Sequence, residues 1–240
     1  MFLSRSVTRW ATQFSGDAYL QSMMGHGLRA SSQLELVEKL KSRGFLTDVP
    51  HFVYKAFSDT DRACFVANKT DDIYANTPQK IGNHFMSTPQ LHAQVLSLLA
   101  ARLGPGKTAC EVGAGTGYLP AVFSRSQCSR VFAIENDPAL LAACKLNLAI
   151  HENLLVSNTV PRETTMDALY VSPYFDSEIK LDSFLASLEF AQDAVVVASV
   201  IDEASMLGPI KDQQLLVLER ENGQWIKVPL FRTLCEPLVC

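Results

Sequence analysis

The sequence predicts an α/β protein: a doubly wound, mainly parallel sheet that ends in antiparallel strands, with an added helical segment at its N-terminal side. From Thr108 onward, short apolar strand-like runs alternate with helical ones, the pattern of successive βαβ units. A glycine-rich turn joins the first of those strands to its helix. Near the end, two further strand-like runs flank Asn222-Gly223, the residue pair of a tight hairpin turn. A chain of 240 residues, 48% hydrophobic and 19% charged, buries a sizeable core without help from metal or disulfide.

The elements follow in order. Ser31 to Arg43 reads as a helix: Ser31 or Ser32 caps it, Glu35 completes a capping box, and Leu34, Leu36, Val37 and Leu40 supply apolar spacing until Gly44. A second helix is expected over Pro50 to Ala56, followed by a polar, turn-rich stretch from Asp59 to Gly82. Pro89, suited to a first helical turn, opens a helix with a stripe of Leu91, Val95, Leu98, Leu99 and Leu103, closed by Gly104-Pro105-Gly106. Then come a strand (Thr108 to Val112), a helix (Tyr118 to Ser126), a strand (Arg130 to Glu135) and a helix (Pro138 to Ile150). Strands are expected at Leu154 to Val156, Ala168 to Val171 and Ala194 to Val200, with a helix over Leu181 to Phe190 before the last of these. Gln214 to Leu218 and Trp225 to Val228 form the closing hairpin.

Composition narrows the function classes. Lys and Arg number 21 against 25 Asp and Glu, so no broad cationic surface exists for a phosphate backbone, and nucleic acid is not expected as partner. No apolar run approaches the ~18 residues of a membrane span, so a soluble protein without a membrane partner is expected. The six cysteines stand singly, without metal-ligand spacing, and most of them read as buried thiols of a reducing compartment. Residues 1–16 carry no acid. There Arg5 and Arg9 oppose an apolar face of Phe2, Leu3, Val7, Trp10, Ala11 and Phe14, with hydroxyl residues interspersed, the pattern of a mitochondrial targeting segment. The alternative is an N-terminal extension on a cytoplasmic protein. The expected organisation is a targeting or extension segment over 1–30 and one domain over 31–240, its helical part ending at 106.

The sharpest local signal is Glu111-Val112-Gly113-Ala114-Gly115-Thr116-Gly117-Tyr118, where strand passes into helix. Such glycines let backbone approach a ligand, and the helix that follows points free N–H groups at an anionic part of it. A dinucleotide fingerprint needs glycine where Tyr118 stands, which disfavours a nicotinamide oxidoreductase. Glu111, two residues before Gly113, repels a pyrophosphate but suits a ligand with an ammonium or sulfonium centre. S-adenosyl-L-methionine has both, plus a carboxylate for the helix N-terminus. Glu135, at the end of the next strand and followed by Asn136, is placed to accept from two ribose hydroxyls. The expected fold is therefore Rossmann-like, with Glu111, Gly113, Gly115, Gly117, Glu135 and Asn136 as cofactor residues.

With those residues placed, the chain resembles the protein-L-isoaspartate O-methyltransferases. Leu34-Glu35-Leu36-Val37 to Gly44-Phe45, Thr60-Asp61-Arg62, Phe65-Val66, Tyr74, Pro78-Gln79 and Ile81-Gly82 are similar to the family's leading segments. Met86-Ser87-Thr88-Pro89-Gln90-Leu91-His92-Ala93 is similar to its Ile-Ser-x-Pro-x-x-His-Ala block. The resemblance runs from about Ser31 to the C-terminus and implies methyl transfer from S-adenosyl-L-methionine to the free carboxylate of isoaspartyl residues in damaged proteins, by a monomer. It implies Ser87 as the catalytic residue and Met86 and His92 on the cofactor side. Without the resemblance, Ser87 reads as a helix cap and His92 as an interior histidine.

This sequence departs from the family mainly on the acceptor side. Phe85 stands where the family has Thr, Ser157-Asn158 replaces an Asp-containing turn that contacts adenine, and Ser172-Pro173-Tyr174-Phe175 replaces a run of small residues. Asn158 can still accept from the adenine amino group, without charge. These changes motivate two alternatives: a cofactor-binding but inert subunit of a mitochondrial complex, and an amino-methyltransferase of nucleic acids, which the missing first Asn or Asp of Asn/Asp-Pro-Pro-Tyr and the acidic composition disfavour.

Overall fold

The computed structural model describes residues 27–67, 72–201 and 213–233; residues 1–26 of the expected targeting segment, Cys235 and Cys240 lie outside them. Helix α1 spans Gln33–Ser42 and opens as expected. Ser32 Oγ accepts from the Glu35 N–H at 3.3 Å, while the Glu35 carboxylate reaches back to the N–H and hydroxyl of Ser31 at 2.7 and 2.6 Å. The return arm of the capping box thus closes one residue early. Helix α2 spans His51–Asp59, running past the expected Ala56 because Ala56 and Phe57 are both buried. A short 3-10 turn follows at Arg62–Phe65, capped by Asp61.

The stretch expected to be only turns also holds strand β1 (Gln79–Ile81), which pairs antiparallel with β2 (His84–Met86) around Gly82. This small hairpin leads into α3 (Pro89–Leu99), which Thr88 caps by accepting from the Leu91 N–H at 3.2 Å. The core then alternates as predicted: β3 (Thr108–Val112), α4 (Tyr118–Arg125), β4 (Arg130–Ile134), α5 (Pro138–Leu148) and β5 (Leu154–Ser157). After it come β6 (Met166–Phe175), α6 (Glu178–Ala186), β7 (Phe190–Ile201), β8 (Gln213–Glu221) and β9 (Gln224–Thr233).

Two expectations are corrected here. The helix expected to reach Phe190 ends at Ala186, and Phe190 opens β7 opposite Met166. Strand β6 does not stop at Val171 but continues to Phe175 across a bulge between Val171 and Tyr174, where Ser172 and Pro173 have no partner in β7. A bulge tolerates Pro173 because no ladder donor is needed there.

The seven strands lie in the order β5-β4-β3-β6-β7-β8-β9; those from β5 to β7 run parallel, and β8 and β9 antiparallel. Alternate residues feed two cores. Ala109, Val131, Ala168 and Val195 pack under the N-terminal helices, α4 and α5, whereas Cys110, Phe132, Leu169 and Val196 pack with Leu181 and Leu185 of α6. Strand β9 is one edge; it carries Pro229 opposite Leu216 at a register shift, with Lys227 bridging to Glu178 and Asp182 of α6. Residues Asn222 and Gly223 both have positive φ (52° and 81°), as the two-residue turn requires. Cys110, Cys128 and Cys144 are buried thiols; Cys64 is exposed.

Candidate active site

From β3 the chain winds outward through β4 to β5, then crosses back to lay β6 on the other side of β3. Open α/β sheets bind ligands outside the strand ends at such a reversal. The pocket lies there. It is lined by Glu111, Gly113 and Gly115 from the end of β3, by Ser172 from the β6 bulge, and by Met86, Ser87 and His92 from β2 and α3.

The glycine loop is held by its backbone. Gly113 and Ala114 donate N–H bonds to the Ile134 carbonyl at 2.8 and 3.0 Å, and Gly117 donates to Ala114 at 2.8 Å. The Glu135 carboxylate pins the tip: one oxygen accepts from the Gly115 N–H at 2.7 Å, the other from the Asp137 N–H at 2.9 Å. Each oxygen keeps a further lone pair for a ligand hydroxyl. Glycine is required at Gly113, where φ is 78° and a Cβ would lie 2.5 Å from Pro173 Cδ.

Charge is distributed unequally across the pocket. Glu111 is 4% exposed, and its Oε2 has no hydrogen-bond partner among the described residues. Burial, then the charge of Glu135, raise its pKa well above the usual carboxyl range. A buried carboxyl with an empty acceptor atom is a place for a cation or a donor group of a ligand. His92 is the opposite case: burial and then Arg62 push its pKa down to about 3, so its imidazole is neutral, with Nδ1 unpartnered among the described residues. Its ring lies 5.1 Å from that of Tyr118, whose hydroxyl accepts from Gln33 Nε2 at 2.9 Å.

Ser87 is not the helix cap that its position before Thr88-Pro89 suggests, because Thr88 performs that task. Its hydroxyl makes no hydrogen bond to the described residues and lines the pocket. Phe85, 57% exposed, stands at the lip.

Of the sequence-selected residues, Met86, Ser87, His92, Glu111, Gly113 and Gly115 converge on this pocket. Gly117 lies outside its lining: with φ 96° it opens α4 and packs on Leu148 and Cys144. Glu135 acts on the pocket through Gly115. Asn136 and Asn158 are exposed and outside the lining. Ser172, part of the acceptor-side departure, lines the pocket; Thr116, which also lines it, and Arg62, buried behind Ser87, have no site role legible in the sequence. Arg62 was quoted only within a family segment; no local pattern marks an arginine as buried.

Residues 31–177 match the family model described as protein-L-isoaspartate(D-aspartate) O-methyltransferase. The chain belongs to that family. An Arabidopsis thaliana protein-L-isoaspartate O-methyltransferase is 36% identical over 116 residues, 47% of this chain and 49% of the relative. One from Methanoregula boonei is 30% identical over 183 residues, 72% of this chain and 77% of the relative. The chain spans about half the length of the plant relatives it matches. Among solved structures, a Plasmodium falciparum family member in complex with S-adenosyl-L-homocysteine superposes with TM-score 0.70 at 23% identity, over 88% of this chain and 99% of its own. That likeness carries the shared fold.

Proposed function

We propose that the protein methylates the free carboxylate of isoaspartyl residues in damaged proteins, using S-adenosyl-L-methionine. The observation that carries this is Ser87, free of any helix-capping duty and lining the same pocket as the glycine loop and Glu111, whose Oε2 is unpartnered among the described residues. The residues fit the cofactor. Gly113 and Gly115 clear the approach, Glu111 offers an unsatisfied acceptor to its cationic part, and Glu135 offers its remaining lone pairs to hydroxyls. When bound, the cofactor supplies an electrophilic methyl on a sulfonium.

The chain's own task is then mostly placement. A carboxylate acceptor with a pKa near ~4 is ionised at neutral pH, so no general base is needed, and the neutral His92, with its depressed pKa, is no stronger base than the task demands. The Ser87 hydroxyl donates to one acceptor oxygen and fixes the line of the other. Such positioning is worth several kcal/mol in barrier. Ser172, at the β6 bulge, and Phe85, at the lip, border the acceptor side of the pocket.

The test offers labelled S-adenosyl-L-methionine with matched isoaspartyl and aspartyl peptides to the parent and to Ser87→Ala. Label appears only on the isoaspartyl peptide, and Ser87→Ala lowers kcat by roughly 100-fold with cofactor affinity intact. Cofactor binding with transfer to neither peptide refutes the reading in favour of an inert subunit. The acidic balance supports a protein rather than nucleic-acid acceptor, and a monomer is the simplest assembly for it. The basic, acid-free pattern of residues 1–16 supports a mitochondrial location. Mass spectrometry of native protein decides: retention of Met1 counts against a cleaved targeting segment.

A further inference from the structure

Behind Ser87 lies a charge without a counter-ion among the described residues. Arg62 is 0% exposed. Its Nη2 donates only long bonds, at 3.5 Å, to the backbone carbonyls of Thr77 and Ser87, and Nε and Nη1 find no acceptor among the described residues. The adjacent carboxylate is turned away: Asp61 accepts from the Ala63 N–H at 2.9 Å and the Tyr74 hydroxyl at 3.0 Å. The polar groups nearest in the fold, Gln33, Tyr118 and His92, are all neutral. Although burial pulls its pKa down to about 10, the guanidinium remains charged at neutral pH.

A buried cation without a partner is unfavourable, and an anion arriving beside it removes the deficit. The acceptor carboxylate has the reverse difficulty, because the Glu111 carboxyl lines the same pocket and the Glu135 carboxyl sits directly behind its Gly115 wall. We propose that Arg62 is the positioning residue that selects an anionic acceptor: its guanidinium holds the Ser87 carbonyl, and its uncompensated charge draws a carboxylate, rather than a carboxamide, to the Ser87 hydroxyl. This inference rests on the carboxyl-methylation reading and adds the origin of its charge selectivity. The selectivity is electrostatic, so it needs the charge of Arg62 more than its shape.

Binding is measured by calorimetry on the full chain saturated with S-adenosyl-L-homocysteine, with an isoaspartyl peptide and its isoasparaginyl carboxamide counterpart. At an effective dielectric of about 20, one charge pair a few ångströms apart favours the carboxylate by roughly tenfold or more. Arg62→Met abolishes that preference and raises KM for the isoaspartyl peptide by the same factor, with cofactor affinity unchanged; Arg62→Lys restores most of it. Equal binding of the two peptides by the parent overturns the inference without any variant. So does Arg62→Lys being as defective as Arg62→Met, since a purely structural role depends on the guanidinium fork. A carboxylate preference lost in Arg62→Met, together with no methyl transfer by the parent, keeps the anion selectivity and sinks the methylation reading instead.

Discussion

Replacing Glu111 by Gln separates what this side chain does for the fold from what it does for a ligand. Glu111 is 4% exposed, its Oε2 is unpartnered among the described residues, and burial, then Glu135, raise its pKa. A carboxyl whose folded pKa exceeds its unfolded one binds the proton more tightly in the native state. Stability is therefore intact below the usual carboxyl range and falls as pH rises through the window up to the raised folded value. Gln keeps the volume and does not titrate. Both side chains leave a buried polar atom unbonded, so what Gln relieves is the extra cost of the charge, on the order of 1–3 kcal/mol. With roughly 2–4 °C of Tm per kcal/mol for a chain of this size, Glu111→Gln melts about 2–10 °C above the parent at pH 8. At pH 5 the difference shrinks. Cofactor affinity moves the other way: losing a charged acceptor worth about 1.5–3 kcal/mol weakens binding roughly ten- to a hundredfold. Thermal melts at the two pH values and titration calorimetry with S-adenosyl-L-methionine read both effects. A variant that melts below the parent at pH 8, or binds as tightly as the parent, refutes the reasoning.

Two further substitutions test the scaffold. Gly117→Ala places a Cβ 2.7 Å from Leu148 Cδ1 at a φ of 96°. The left-handed strain and the overpacking together cost about 2–4 kcal/mol, seen as a lower urea midpoint. Ser32→Ala removes the cap that accepts from the Glu35 N–H and costs about 1 kcal/mol, with the pocket and cofactor affinity unaffected; a loss of affinity would show that α1 is coupled to the site.

The elements legible from sequence are those whose ends carry local chemistry. Strand β3 occupies the expected residues because the glycine loop ends it, and α4 begins at Tyr118 for the same reason. Helix α5 starts at Pro138 because Asp137 caps it, but its last turn is lost near Ile150, where only apolar residues signal an end. The β1–β2 hairpin was hidden because three-residue strands are too short to show alternation. Leu181, Leu185 and Leu188 have helical spacing and nothing between them and Phe190 marks a helix end, yet pairing with Met166 claims Phe190 for β7. In the site, Ser87 and Glu111 were identifiable singly, but only the return of α3 beneath the sheet joins them. The burial of Arg62 is decided by packing from α1, the hairpin and α3, which no local pattern records.

The rim of the sheet bears on the life of the protein before and after folding. An edge strand offers unpaired donors and acceptors to any other extended chain, and the ten residues of β9 are long enough to template one. Pro229 removes a donor midway along, the adjoining register shift breaks the straight run, and Lys227 and Arg232 put positive charge on the same strand. At the opposite margin, β5 extends for just four residues. Among the described residues neither margin of this sheet provides a long, uniform template, which limits sheet-to-sheet pairing through these two edges.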